Sequence, residues 1–249
     1  MSKKSILVTG SNGLIGKQIK KFFTNKKFKT FGLDFKNTDS STISCDITSE
    51  KQVKDAFKVL NKKTSLNVLI NNASLNPSKI QKLKEKTFKF SNYKLTNWKK
   101  AIDVDLIGSF LVTKEALKVF EKKNEGLIIN ISSIYGVIGP DQNLYGKRKK
   151  YHGFKPLEYS VAKAGVIGFT KALASFYKGT NIKVICLVLG GVFDNQPKSF
   201  VKNYSERTID NRMMDVKELI NYLEFYISKK NFYSSGSCIF IDGGKLSMF

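Results

Sequence analysis

A single histidine, three cysteines and three arginines among 249 residues exclude several kinds of chemistry before any motif is read. With His152 alone, neither a histidine-based triad nor a multi-histidine metal site can be built, and no metal centre is expected. Cys45, Cys186 and Cys238 are odd in number, far apart and set in or beside apolar runs, so they are expected as reduced core thiols rather than as ligands or disulfides. Arginine is confined to positions 148, 207 and 212, and the net charge of +23 therefore rests almost wholly on lysines spread along the chain. Nucleic-acid readers concentrate their charge on one face or use arginine forks. No specific nucleic-acid partner is expected here, only weak, salt-sensitive polyanion binding. No stretch approaches the roughly 20 apolar residues of a membrane span, and Met1-Ser2-Lys3-Lys4 runs on without an apolar signal region. A cytoplasmic location with no membrane partner is the expectation. Repeats and low-complexity linkers are missing too, and 41% hydrophobic content suffices for one core.

What is present is a regular alternation. Apolar runs near 5 to 9, 29 to 33, 42 to 45, 66 to 70, 126 to 132, 182 to 188 and 237 to 241 read as strands, with helices between most of them. Runs as continuous as Ile128-Ile129-Asn130-Ile131 and Val184 to Leu189 suit parallel strands covered on both faces. Right-handed crossovers then predict an α/β fold with a doubly wound parallel sheet, over residues 1–249 as one domain.

Three residues carry chemistry. Tyr159 and Lys163, in Tyr-Ser-Val-Ala-Lys, stand four apart on a predicted helix and so share a face. There the ammonium favours the ionised phenol, whose ordinary pKa of about 10 makes it a poor base at neutral pH. Ser133 ends the run from Gly126 and falls at the carboxyl end of a buried strand, where open sheets bind ligands and a hydroxyl can hold a substrate oxygen. The trio suggests interconversion of an alcohol and a carbonyl.

At the amino end, Ser5 to Val8 leads into Thr9-Gly10-Ser11-Asn12-Gly13-Leu14-Ile15-Gly16 and an amphipathic stretch to Asn25. This is strand, glycine turn and helix, the arrangement that brings backbone N–H groups and a helix amino terminus to a pyrophosphate. Asp34 closes the next apolar run and can accept hydrogen bonds from a ribose diol, which favours NAD over NADP, although Lys36 nearby tempers that preference and NADP stays open.

With these residues in order, the chain resembles the short-chain dehydrogenase/reductase family along nearly its whole length, with a Rossmann-like fold implied. Cys45-Asp46-Ile47-Thr48 is similar to the segment flanking the adenine, Asn71-Asn72-Ala73-Ser74 to the motif beside the cofactor, and Gly190-Gly191-Val192 to the turn near the nicotinamide carboxamide. The resemblance implies Ser133, Tyr159, Lys163 and Asp105 as catalytic residues. It implies Gly10, Ser11, Asn12, Gly13, Leu14, Ile15, Gly16, Asp34, Asp46, Ile47, Asn72, Ala73, Ser74, Tyr159, Lys163, Gly190, Gly191 and Val192 as the cofactor site. A helix pair from Trp98 to Lys122 and from Tyr159 to Lys178 resembles the family's oligomer-forming surface, so a homodimer or homotetramer is expected.

Departures sharpen the reading. Asp105 stands where the family usually has asparagine, and a carboxylate there is expected either to offer its backbone carbonyl to a lysine-linked water or to pair with Lys163. Ser74 replaces a usual glycine and Leu189 a usual proline. The glycine spacing resembles an extended, sugar-nucleotide branch, whereas the length favours the short one. Between Ser133 and Tyr159 lies an insertion at about 136–156 containing the basic run 147–152, which could attract a phosphate, nucleotide-diphosphate or carboxylate. The segment from Asn76 to Asn97 reads as a substrate-side excursion, and residues 193–214 resemble a substrate lid, with Asn195, Gln196, Phe200 and Tyr204 as candidates for substrate contact or for lid packing. Together with Gly190 to Gln196, the insertion's start resembles a flagellin-modification or surface-sugar subgroup. The expected function is NAD(P)-dependent oxidoreduction of a secondary alcohol or ketone on a sugar, phosphorylated sugar or sugar nucleotide. An epimerase or dehydratase that retains its NAD, and a catalytically silent NAD-binding protein, are the alternatives.

Overall fold

The computed structural model describes residues 4–75, 90–145, 155–228 and 233–248. The 147–152 run and residues 76–89 of the expected excursion lie outside the described residues.

Seven strands form one sheet: β1 Ser5–Thr9, β2 Lys29–Asp34, β3 Thr42–Ser44, β4 Val68–Asn71, β5 Gly126–Ser133, β6 Ile182–Leu189 and β7 Cys238–Ile241. Their order is β3-β2-β1-β4-β5-β6-β7 and every pairing is parallel. Parallel neighbours require crossovers, supplied by α1 Leu14–Asn25, α2 Glu50–Lys63, α3 Leu95–Ile102, α4 Ser109–Lys123, α5 Leu157–Phe176, α6 Lys198–Ser205 and α7 Val216–Ser228. The doubly wound sheet expected from the apolar runs is the one observed, with strand ends differing by one or two residues. Residues 95–97 belong to α3 rather than to an irregular excursion, because Lys94 already accepts from the Asn97 and Trp98 backbone amides.

Side-chain alternation along each strand supplies two cores. Ile6 and Val8 face the α1 and α7 layer with Ile19, Phe23, Leu219 and Leu223, while Leu7 faces α2 and α4 with Phe57, Leu60, Val112 and Phe120. Both faces being covered, β1 and β5 are buried along their whole length.

Strand order reverses between β1 and β4, so the turns after these two strands diverge and leave a crevice at their carboxyl ends. A buried amide chain fixes that end: Asn71 donates to Thr113 and Asn130, and Asn130 donates to Thr170, tying β4 and β5 to α4 and α5. Among the described residues no helix is long and apolar enough to cross a membrane. Burial pushes the Cys45 thiol up to about 11 and Cys186 up to about 12, and all three cysteines are free thiols.

Candidate active site

Helix α5 is docked on the end of β5 by two bonds. Ser132 Oγ donates to the Lys163 carbonyl at 2.9 Å, and Lys163 Nζ donates to the Ile131 carbonyl at 3.0 Å. Gly136 makes the close approach possible, since a Cβ there would lie 2.7 Å from the Lys163 carbonyl carbon. Tyr159 and Lys163 are consequently buried on the inner helix face, and Ser133 sits at the strand end beside them. Ser133 Oγ accepts the Tyr135 amide at 3.2 Å and lies near enough to the Tyr159 phenol to favour its ionised form.

Asp105 lies on a π-helical turn, Asp103–Gly108, between α3 and α4, a distortion common at functional sites. Its carboxylate pairs with Lys163 at 3.1 Å and accepts from Ser74 Oγ at 2.6 Å and the Leu75 amide at 2.8 Å. The pairing expected as one of two options is therefore the one formed, and the Asp105 carbonyl accepts from Ser109 Oγ at 2.8 Å. Two departures noted separately in the sequence, Ser74 and Asp105, prove to be hydrogen-bond partners.

One expectation is corrected. Lys163 does pull the Tyr159 phenol down, but burial pushes it up more strongly and Asp105 adds to the rise, so the phenol stands above its ordinary value. For Lys163, burial alone would lower the ammonium, yet Asp105 and Tyr159 together raise it above 10.5. At neutral pH the site holds a charged ammonium beside a neutral phenol, able to give a proton to a substrate oxygen.

The other end of the same cleft begins at Gly10, whose φ of +63° suits glycine and where a Cβ would lie 2.8 Å from the Ala73 Cα. Gly13 caps α1 without any side-chain bond, leaving first-turn N–H groups for a ligand. Asp34 Oδ2 accepts the Asn12 amide at 2.9 Å, which aims the carboxylate along the cleft wall. One cleft of about 1080 Å³ runs from Asp34 past Gly10, Asn12 to Ile15, Ile47, Asn72 to Ser74 and Gly190 to Val192 to Ser133, Tyr159 and Lys163. Ser11 and Gly16 support this wall from behind: Ser11 packs against Gly32, and Gly16 has no room for a Cβ against the Gly10 carbonyl. Asp46 does not line the cleft, because its carboxylate turns back to cap the Thr48 amide and hydroxyl.

Residues 4–199 match the family model described as short chain dehydrogenase. The chain belongs to the short-chain dehydrogenase family. It is an NAD(P)-dependent oxidoreductase of that family. It is 29% identical to post-translational flagellin modification protein A of Campylobacter coli, over 98% of each chain. It is 26% identical to a 3-oxoacyl-[acyl-carrier-protein] reductase of Aquifex aeolicus, covering 96% of this chain and 86% of that one. Among solved structures, a short chain dehydrogenase from Leptospira borgpetersenii with bound NAD+ superposes with a TM-score of 0.85 at 29% identity, covering 98% of this chain and 93% of the other.

In this short-chain dehydrogenase the cleft beyond the Ser133, Tyr159 and Lys163 cluster is walled by aromatics: Phe200 and Tyr204, already candidates for substrate contact from the lid, and Tyr135 and Tyr145, which the motif reading missed. Tyr135 and Tyr145 join hydroxyls at 3.1 Å, Tyr145 meets Phe200 at 5.5 Å between ring centroids, and Tyr204 accepts the Gly191 amide. Phe200 and Tyr204 come from α6 within the expected lid, whose two ends are joined where Val192 bridges Met214. Lys155 was missed as well. It stands four before Tyr159, a spacing that points to the same face, but it precedes the first helical residue.

Proposed function

We propose that this protein interconverts a secondary alcohol and a ketone by hydride transfer, on a polyhydroxylated substrate such as a sugar or sugar nucleotide. The observation that carries the reading is the continuity of one cleft between the Gly10 to Ile15 turn and the Ser133, Tyr159 and Lys163 cluster. The residues fit a dinucleotide: an uncapped helix start for the pyrophosphate, Asp34 for a ribose, Cys45 and Ile47 beside the base, and Asn72, Ala73 and Ser74 along its length. Gly190, Gly191 and Val192 would hold the carboxamide end, and Lys163 a ribose hydroxyl. When bound, the nicotinamide supplies hydride exchange at its C4. Ser133 orients the substrate oxygen, Tyr159 exchanges the proton with it, and the Asp105–Lys163 pair fixes the charge behind the phenol. Tyrosine hydroxyls on rings that present apolar faces suit a sugar's mixed surface, and the flagellin-modification relative points the same way.

Titration with NADH and NADPH, followed by nicotinamide fluorescence, tests the cofactor reading. Tighter binding of NADH is expected, and Asp34→Ala should narrow the gap between the two, since the carboxylate repels a 2′-phosphate. Equal affinities in the wild type would remove the role given to Asp34. Adding a panel of keto-sugars, sugar phosphates and nucleotide-sugars then reads substrate class, and oxidation of NADH by none of them would count against it.

We further propose assembly through α4 and α5, which expose Ile107 beside them together with Phe110, Val161 and Phe176. Light scattering should give two or four times the protomer mass, and Phe110→Glu combined with Val161→Glu should give a monomer. A monomeric wild type refutes the assembly.

A further inference from the structure

Lys155 has no part in the proton exchange described above, yet the fold aims it with care. The Gln142 side chain grips its backbone twice, donating from Nε2 to the Lys155 carbonyl at 3.0 Å and accepting the Lys155 amide on Oε1 at 2.8 Å. Pro156 follows with φ −56°, so the chain direction into α5 is set by a ring rather than by a soft torsion. The side chain enters the cleft and places its ammonium 3.7 Å from the Tyr159 ring centroid and 5.8 Å from that of Tyr135. Only 8% of the residue is exposed.

We propose that Lys155 is a specificity-determining residue whose ammonium receives a carboxylate or phosphate carried by the substrate beside its reacting carbonyl. The inference rests on the alcohol–ketone reading of the site. A substrate oxygen bound by Ser133 and the Tyr159 hydroxyl lies at the edge of the same ring whose face carries Lys155. A substituent on the neighbouring carbon then has the ammonium within reach. Tyr135, Tyr145, Phe200 and Tyr204 line this end and keep it apolar, so one charge pair there counts for more than it would in water.

Among the described residues, the other charges near this space are largely paired with one another. Lys163 and Asp105 neutralise each other at 3.1 Å, and Arg207 and Asp141, paired at 3.4 Å, act on Tyr135 with opposite signs. Asp194 lines the same cleft. Burial, followed by repulsion from Lys163, pulls Lys155 down to about 7, against a smaller upward pull from Asp105. An arriving anion favours the protonated amine. Binding near pH 7 is therefore accompanied by proton uptake, and affinity falls as pH rises through that value.

Matched neutral and anionic ketones test this. Dihydroxyacetone phosphate against dihydroxyacetone, and pyruvate against hydroxyacetone, are titrated calorimetrically into the NADH complex of the wild type, Lys155→Met and Lys155→Arg. At about pH 6 one anionic member should bind at least about tenfold more tightly than its neutral partner, the size expected of a hydrogen bond to a charged group in a dry site. Which pair shows the gain distinguishes phosphate from carboxylate. Lys155→Met should abolish the gain, and Lys155→Arg should keep it and extend it above about pH 8. Heats compared in buffers of different ionisation enthalpy should show proton uptake near neutrality in the wild type and none in Lys155→Met. The inference is overturned if neither anion gains, or if the gain survives in Lys155→Met. Failure to bind NADH would instead sink the oxidoreductase reading, and the same titrations into the free protein would still report on Lys155.

Discussion

Tyr159→Phe is expected to lower turnover by about 10²–10⁴-fold, the range for loss of a positioned proton donor, while NADH affinity and melting temperature barely move. The asymmetry follows from the surroundings. Phenylalanine keeps the ring packed among Ile134, Cys186 and Val188 and still lies under the Lys155 ammonium. What disappears is one hydroxyl facing the cleft, at most a hydrogen bond's worth of stability, about 0.5–1.5 kcal/mol. Equal loss of NADH binding and turnover would assign Tyr159 to folding instead. The pH dependence carries a second check. Because the phenol stands above its usual value, its proton is present throughout the neutral range and is lost only as pH rises past about 10. Ketone reduction by the wild type should hold level toward that limit, whereas alcohol oxidation should climb with pH. An oxidation profile already flat at pH 7 would contradict a raised phenol.

The seven strands were legible because parallel strands buried on both faces need apolar residues at consecutive positions, and β1, β5 and β6 have them. Gly10 and Asp34 were legible because each directly follows or closes an apolar run, one with a glycine turn and the other with a carboxylate. The π-helical turn at Asp103–Gly108 left no such mark, since a change of backbone hydrogen-bond register keeps the apolar pattern of the flanking helices. Ser74 and Asp105 looked like independent departures because they are 31 positions apart, and only the fold makes the hydroxyl and carboxylate neighbours. The direction of the Tyr159 shift was misjudged for a related reason. Spacing shows that Lys163 shares its face, but how deeply both lie depends on β5, Gly136 and the aromatic wall.

Replacing Asp105 should produce the largest loss of stability. Its carboxylate, 1% exposed, is shared by the Lys163 ammonium, Ser74 and the Leu75 amide. Asp105→Ala strands a buried cation and removes an acceptor from two further donors, a class of change that costs about 3–5 kcal/mol. For a chain of this size that corresponds to a melting temperature lower by roughly 6–20 °C. Asp105→Asn separates charge from geometry, because an amide oxygen still accepts the Leu75 amide while the negative charge is gone. It should unfold at a temperature between those of the wild type and Asp105→Ala. Its second effect has a definite sign. Asp105 holds the Tyr159 phenol up, so the asparagine variant should ionise that phenol at lower pH and move the rise of alcohol oxidation toward neutrality. The same carboxylate raises Lys163, a contribution to stability fully present below pH 10.5 and lost as pH climbs through the folded value. Alkaline unfolding should accordingly be less steep in the variant. An oxidation profile that stays in place in Asp105→Asn, with stability lowered, would reduce Asp105 to a structural tie between the π-helical turn and the Ser74 loop.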